Sequence, residues 1–133
     1  MYGHQPEVAS IHAHVFPSTL PLPETFFIRR ADCWGWATWT RAWQHFNPDS
    51  QYLLGELEGR NLSREFDLDG SYPFSQMLRD QIAGRDNSWA IRWHPSTFLR
   101  NMVISHPGRT MVLNFGTEGS GIIAILHEPW MLF

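Results

Sequence analysis

The run Asp32-Cys33-Trp34-Gly35-Trp36-Ala37-Thr38-Trp39-Thr40-Arg41-Ala42-Trp43 holds four of the seven tryptophans of a 133-residue chain. Tryptophan offers a broad apolar face and one N–H donor, which suits core packing, aromatic interfaces and stacking on ligand rings, sugars included. Trp36, Trp39, Trp43 and Phe46 recur at i, i+3, i+7 and i+10, the spacing of one helix face, so the sequence predicts an amphipathic helix over residues 36–46. Asp32 lies upstream, where a carboxylate caps or complements a helix start. Asn47-Pro48 ends the helix, because the residue before proline is driven out of the α region. Tryptophan and charge meet again at Asp86-Asn87-Ser88-Trp89-Ala90-Ile91-Arg92-Trp93.

Working outward, residues 8–15 and 25–29 read as strands, separated by an extended loop that Pro17, Pro21 and Pro23 enforce. Residues 50–58 read as a second helix, 66–72 as a loop, and 74–83 as a helix that stops at Gly84. Residues 88–93 look helical, with Pro95 expected to break or kink that helix. Residues 102–105 and 110–115 suggest a hairpin-like pair around Pro107-Gly108, followed by a glycine loop (Gly116, Gly119, Gly121) and an apolar tail. Strands at both ends with three to four helices between them give an α/β class, an α+β-like arrangement too short for a doubly wound sheet.

Composition narrows the function. The length is that of one domain. A net charge of −3 without a basic run argues against binding a nucleic-acid backbone. The single cysteine, Cys33, excludes an internal disulfide and fits a reducing compartment. No stretch of 18 apolar residues and no signal pattern is present, so a cytoplasmic location is expected, with any membrane association through a parent complex. There is no G-x-G-x-x-G or Walker loop to cradle phosphate. His12-x-His14 sets two imidazoles on one strand face, a metal-compatible spacing, but no third ligand lies nearby in sequence and no metal site is assigned. Cys33 is expected to be a buried neighbour of Trp34.

The stretch 26–43 resembles bacterial glycosyltransferases of the family 2 type, which build polysaccharides and capsules. So do Phe66-Asp67-Leu68-Asp69-Gly70-Ser71-Tyr72, Met77-Leu78-Arg79-Asp80-Gln81, Ser88-Trp89-Ala90-Ile91-Arg92-Trp93, Pro107-Gly108 and the segment Asn114-Phe115-Gly116 to Gly119-Ser120-Gly121. The resemblance implies the C-terminal, acceptor-side half of a GT-A fold over residues 1–121, with 122–133 a divergent tail. It implies transfer of a sugar from a nucleotide-sugar donor to a glycan or lipid-linked acceptor. The family uses a divalent metal, Mn or Mg, at an Asp-x-Asp motif of the donor half. Asp67-x-Asp69 has that spelling in an acceptor-side loop, and no metal is expected in this chain alone. The expected partners are a sugar acceptor, an N-terminal donor-binding half and a second copy of the chain, with no nucleic acid.

An inverting transferase needs a carboxylate that takes the proton of the attacking acceptor hydroxyl. By the resemblance that acid stands just before Ser-Trp-Ala-Ile-Arg-Trp. Here Asn87 precedes Ser88 and the acid, Asp86, is one place earlier, while Asp80 is a second candidate one helix upstream. His94-Pro95 stands where the family has an aromatic-Ala pair, and Ile122-Ile123 where it has Thr-His.

The remaining expected substrate-binding positions are Asp32, Trp34, Gly35, Trp89, Arg92 and Arg30. Trp36, Trp39 and Trp43 are expected in the core, leaving Trp34 as the stacking face. Trp89 and Trp93 share a helix face and are expected in the core. Arg92 is either an ion-pair partner of Asp80 or Asp32, or a diphosphate contact. Arg29-Arg30 are either phosphate contacts or a solvated pair at a strand end. The competing reading is a non-catalytic module that binds glycan or self-associates.

Overall fold

The computed structural model describes residues 2–114 and 123–125. Its centre is a four-stranded mixed sheet in the order β2-β4-β1-β3, formed by β1 (Val8–His12), β2 (Thr25–Ile28), β3 (Trp36–Thr38) and β4 (Val103–Pro107). β1 and β4 run parallel, while β3 and β2 flank them antiparallel. Between β3 and β4 come α1 (Thr40–Trp43), α2 (Ser50–Gly59), α3 (Ser63–Phe66), α4 (Phe74–Ile82) and α5 (Ala90–Phe98). The chain is therefore mixed α/β.

Two apolar cores share α5. Leu53, Leu57, Phe66, Phe74, Leu78, Ile91 and Phe98 fill the space among the helices. Ala9, Ala31, Ala42, Trp93, Met102 and Ile104 seal the sheet against α5. Each large side chain here contributes about 1.5–3 kcal/mol. Helix ends are set by sequence. Asp49 accepts a hydrogen bond from the Tyr52 N–H at 3.0 Å and caps α2. α4 ends on a left-handed Gly84, with Arg85 N–H donating to Asp80 O and Gly84 N–H to Gln81 O. Asn61 and Asn101 adopt the same conformation after α2 and α5.

Three expectations fail. The helix over 36–46 is mostly absent. Left-handed Gly35 (φ 61°) redirects the chain, and Trp36–Thr38 then pairs with β1, His12 opposite Trp36 and Ser10 opposite Thr38. The Thr38 hydroxyl fixes this register by donating to Ala9 O at 2.6 Å. Only the single turn α1 remains helical. Asp32 accordingly caps no helix.

The second correction is limited to the break, one of the two outcomes expected at Pro95: α5 runs through this wholly buried residue to Phe98. One helical hydrogen bond is lost there. Ser96 Oγ donates to Arg92 O at 2.6 Å and Thr97 Oγ1 to His94 O at 3.0 Å, tying the helix across the proline.

Third, the runs on either side of Pro107-Gly108 do not form a hairpin. β4 is consumed by β1 and β2, and β5 (Val112–Asn114) pairs antiparallel with β6 (Ile123–Ile125). The linking segment is anchored elsewhere, Gly108 N–H to Glu24 O and Met111 N–H to Ala13 O, both at 2.8 Å. Ile123–Ile125, expected in the tail, is thus a strand. The expected glycine loop and the remainder of the tail lie outside the described residues.

Candidate functional site

The ends of β1, β2 and β4 deliver a polar cluster. β1 ends in His12, with His14 two residues on; the chain leaving β2 carries Arg30 and Asp32; β4 carries His106. Asp32 Oδ1 accepts from His12 Nδ1 at 2.7 Å and from the Trp34 N–H at 3.1 Å. With His12 donating through Nδ1, its Nε2 takes the Ser10 hydroxyl at 3.0 Å. Asp32 Oδ2 is buried without a partner; His14 Nδ1, itself unpartnered, is 3.9 Å away and Arg30 Nη2 is 4.0 Å away. Burial raises the Asp32 pKa, but the His12 hydrogen bond, the Trp34 N–H and the Arg30 cation outweigh it, leaving the carboxyl below its ordinary range.

His106 is a clip. Its Nδ1 lies 3.1 Å from His14 O and its Nε2 3.2 Å from Arg30 O, joining the chain after β1 to the chain after β2. Burial pushes its pKa down. In the neutral form only one of the two carbonyls receives a hydrogen bond. Burial also depresses His14.

Beside this cluster is a cavity of about 190 Å³ lined by Arg30, Asp32, Cys33, Trp34, Tyr72 and Ser88, among others. Arg30 is 9% exposed, with its guanidinium 4.2 Å from the Phe16 ring centre and 5.8 Å from that of Phe74. Its Nε is buried without a partner. Trp34 packs edge-on against His14 at 4.8 Å and also borders a wider cleft of about 700 Å³ with Phe16 and Leu22. Gly35 is required beside it: a Cβ there would stand 2.8 Å from Val112 Cγ1 and 3.2 Å from Ala13 Cβ. Cys33 is half-buried, and burial together with the Asp32 charge raises its thiol pKa, so it stays protonated.

The expected site residues thus divide. Arg30, Asp32 and Trp34 meet at the cavity, and Ser88 joins them from the turn before α5. Asp86 is in that turn and accepts from the Ser88 N–H at 2.8 Å. Asp80 is elsewhere, held on the outer side of α4 by Arg85 at 2.6 Å and Gln76 at 3.0 Å. Arg92 meets neither Asp80 nor Asp32. Its Nη1 donates to Pro48 O at 3.3 Å, and it lines a separate cleft with Trp36, Trp43, Phe46 and Trp89. Trp93 is fully buried, whereas Trp89 is 39% and Trp43 42% exposed, so these two are not core residues. Trp39 is half-buried under the Arg41 guanidinium, 4.8 Å from its ring centre. Arg29 is partly exposed at the strand end, in a surface pair with Glu65 at 2.6 Å and donating to Phe98 O at 3.0 Å.

His12, Asp32 and His106 place ligand-type atoms within 4.8 Å of one another. They are poorly suited to a cation. Both His106 nitrogens face carbonyl oxygens, and Arg30 brings a positive charge to 4.0 Å from Asp32. Asp67-x-Asp69 suits one no better: Asp67 Oδ1 accepts from the Ser75 N–H at 2.6 Å at the start of α4, and Asp69 is exposed with Arg64 at 4.0 Å. The metal of the resembling family has no matching ligand set among the described residues.

Outside the expected set, Phe16, Tyr72, Phe74 and His94 line the cavity, and His106 bridges the His14 and Arg30 carbonyls. His12-x-His14 was the available signal; its partners stand 20 and more residues away. Among the described residues no helix is long and apolar enough to cross a membrane. No protein-family model, curated protein or solved structure matches the chain.

Proposed function

We propose that this chain is the acceptor-side half of a GT-A-type glycosyltransferase, presenting the hydroxyl of a glycan or lipid-linked sugar to a nucleotide-sugar donor held by other polypeptide. One observation carries the reading: Arg30, Asp32, Trp34 and Ser88, from two segments that resemble the family and lie more than fifty residues apart, line one cavity. An indole beside paired charged groups is suited to a sugar ring and its hydroxyls.

In the reaction the acceptor oxygen forms a bond to the anomeric carbon as the bond to the diphosphate breaks, and the hydroxyl proton passes to a carboxylate. Asp86 is the better placed of the two expected bases, because its turn supplies Ser88 to the cavity. Asp80 is committed to Arg85. Arg92, in the separate aromatic cleft, is assigned no diphosphate role.

The test is a glycan array together with titration by nucleotide sugars and Mn²⁺. Glycan binding that is lost in Trp34→Ala, without tight nucleotide-sugar binding, is the expected result. Tight nucleotide-sugar binding contradicts the division between halves, and absence of any glycan binding contradicts the reading itself.

The exposure of Trp43 and Trp89 favours a second reading, a self-associating module whose aromatic cleft is covered by another copy. Light scattering of the wild type and of a Trp43→Ser, Trp89→Ser double variant separates the two. A dimer that the double variant dissolves supports self-association, and a monomer throughout removes it.

A further inference from the structure

Two charged side chains that line the cavity are left incomplete, Arg30 at Nε and Asp32 at Oδ2, and His14 Nδ1, on the far side of Asp32, is likewise buried without a hydrogen-bond partner. Native proteins rarely leave such groups unmet, because each costs about 1–3 kcal/mol, and more when charged. Their spacing is informative. Asp32 Oδ2 is 4.0 Å from Arg30 Nη2 and 3.9 Å from His14 Nδ1, too far for direct hydrogen bonds. One oxygen atom between such groups, about 2.8 Å from each, would satisfy a donor and an acceptor together.

Charge decides what kind of oxygen. The charged groups lining the cavity are Arg30 and Asp32, one of each sign, while His94 is held neutral and the Cys33 thiol protonated. A carboxylate or phosphate placed against Arg30 would meet Asp32 as a like charge. An ammonium placed against Asp32 would meet Arg30 the same way. A hydroxyl meets neither penalty, accepting from a guanidinium and donating to a carboxylate at once. The volume of about 190 Å³ lies below the roughly 300–1,000 Å³ of pockets for drug-sized ligands and suits a single ring.

We infer that Arg30 and Asp32, beside Trp34, select an uncharged pyranoside through two neighbouring hydroxyl groups. One hydroxyl accepts from the Arg30 guanidinium, the next donates to Asp32 Oδ2, and the ring packs on Trp34. The inference rests on the sugar-acceptor reading and adds to it the class of sugar, neutral and bearing adjacent free hydroxyls, over acidic and amino sugars. Arg30 and Asp32 are thereby specificity-determining residues.

The experiment follows the Trp34 indole N–H signal, assigned with Trp34→Phe, in ¹H–¹⁵N spectra. The probes are methyl glycosides of glucose, galactose and mannose, methyl glucuronide, methyl glucosaminide and the monodeoxy derivatives of the best neutral ligand. A saturable shift is expected with a neutral glycoside, with the charged sugars about tenfold weaker or more. Removing either of two adjacent hydroxyls should weaken binding about tenfold, the loss of one hydrogen bond to a charged group, while other positions matter less. Arg30→Lys and Asp32→Asn should each weaken it similarly, and the deoxy series gives the answer on wild-type protein if a variant fails to fold. Tighter binding of the glucuronide or glucosaminide, or no adjacent pair of sensitive positions, overturns the inference and leaves the sugar reading standing. If no saccharide moves Trp34, both fall.

Discussion

Asp32 and His12 are joined at 2.7 Å through Oδ1 and Nδ1, and this bond fixes the carboxylate so that Oδ2 is left unpartnered near the Arg30 guanidinium. The strand β1 thereby orients an acid twenty residues further along. One oxygen of the pair is committed to structure, and the other is buried without a partner.

Asp32 is titrated lower in the folded protein than in the unfolded chain, despite the opposing effect of burial. Its contribution to stability is therefore full above the ordinary aspartate value of about 3.9 and disappears as pH falls through the folded value. In urea melts the gap between wild type and Asp32→Asn should stay constant above about pH 5 and narrow below about pH 4. A gap independent of pH down to 2 would exclude this coupling.

His94 behaves differently because it is buried without charge. Burial, then the Arg30 cation, lower its pKa from 6.5 to about 3. The unfolded chain thus binds a proton that the folded one refuses, so the stabilising effect is complete above 6.5 and erodes as pH falls from 6.5 towards 3. The slope is at most about 1.4 kcal/mol per pH unit for this one group. His14 and His106 shift the same way and add to it. His94→Leu should flatten the stability profile between pH 6 and about 4, read from urea midpoints; an unchanged slope would mean His94 is not buried neutral.

Gly35→Ala meets two obstacles, a left-handed backbone and a Cβ 2.8 Å from Val112 Cγ1. A loss of about 1–3 kcal/mol is expected, with further loss of saccharide binding because Trp34 is the preceding residue. Gly108→Ala should be at least as severe, since its Cβ would collide with the backbone carbonyl of Pro23. Thermal melts rank both against wild type.

The tryptophans separate by burial. Trp93→Ala removes a fully buried ring and should cost about 3–5 kcal/mol. Trp89→Ala, at a ring 39% exposed, should cost about 1 kcal/mol. Equal losses in urea denaturation would contradict the packing described.

In an assembly competent for transfer, Asp86→Asn should lower kcat by about 10²–10⁴, the contribution of a general base. Asp80→Asn should leave kcat within about twofold, because that carboxylate serves Arg85 at the surface. The reverse order would move the base to α4.

Much of this architecture was legible locally. Thr25–Ile28, Ser50–Gly59 and Phe74–Ile82 form where alternation, helical spacing and stop residues point to them. The Trp36 region misled because its aromatic spacing imitates a helix, although Trp36 and Trp43 do converge, 6.3 Å apart, through a strand and a turn. Pairing across distance was not readable. Nothing near residue 103 indicates that β4 will lie parallel to β1, and this pairing brings His106 to within 4.9 Å of the His12 ring. For the site, Arg30, Asp32 and Trp34 stand in one legible stretch, but the unpartnered Arg30 Nε and Asp32 Oδ2 appear only with the fold.

The most direct measurement is the set of intermolecular NOEs between a bound neutral methyl glycoside and the protein. The account predicts contacts from sugar ring C–H protons to the Trp34 indole and to Phe16 or Tyr72 at the Arg30–Asp32 cavity. Contacts confined to Trp43 and Trp89, with Trp34 silent, would contradict it.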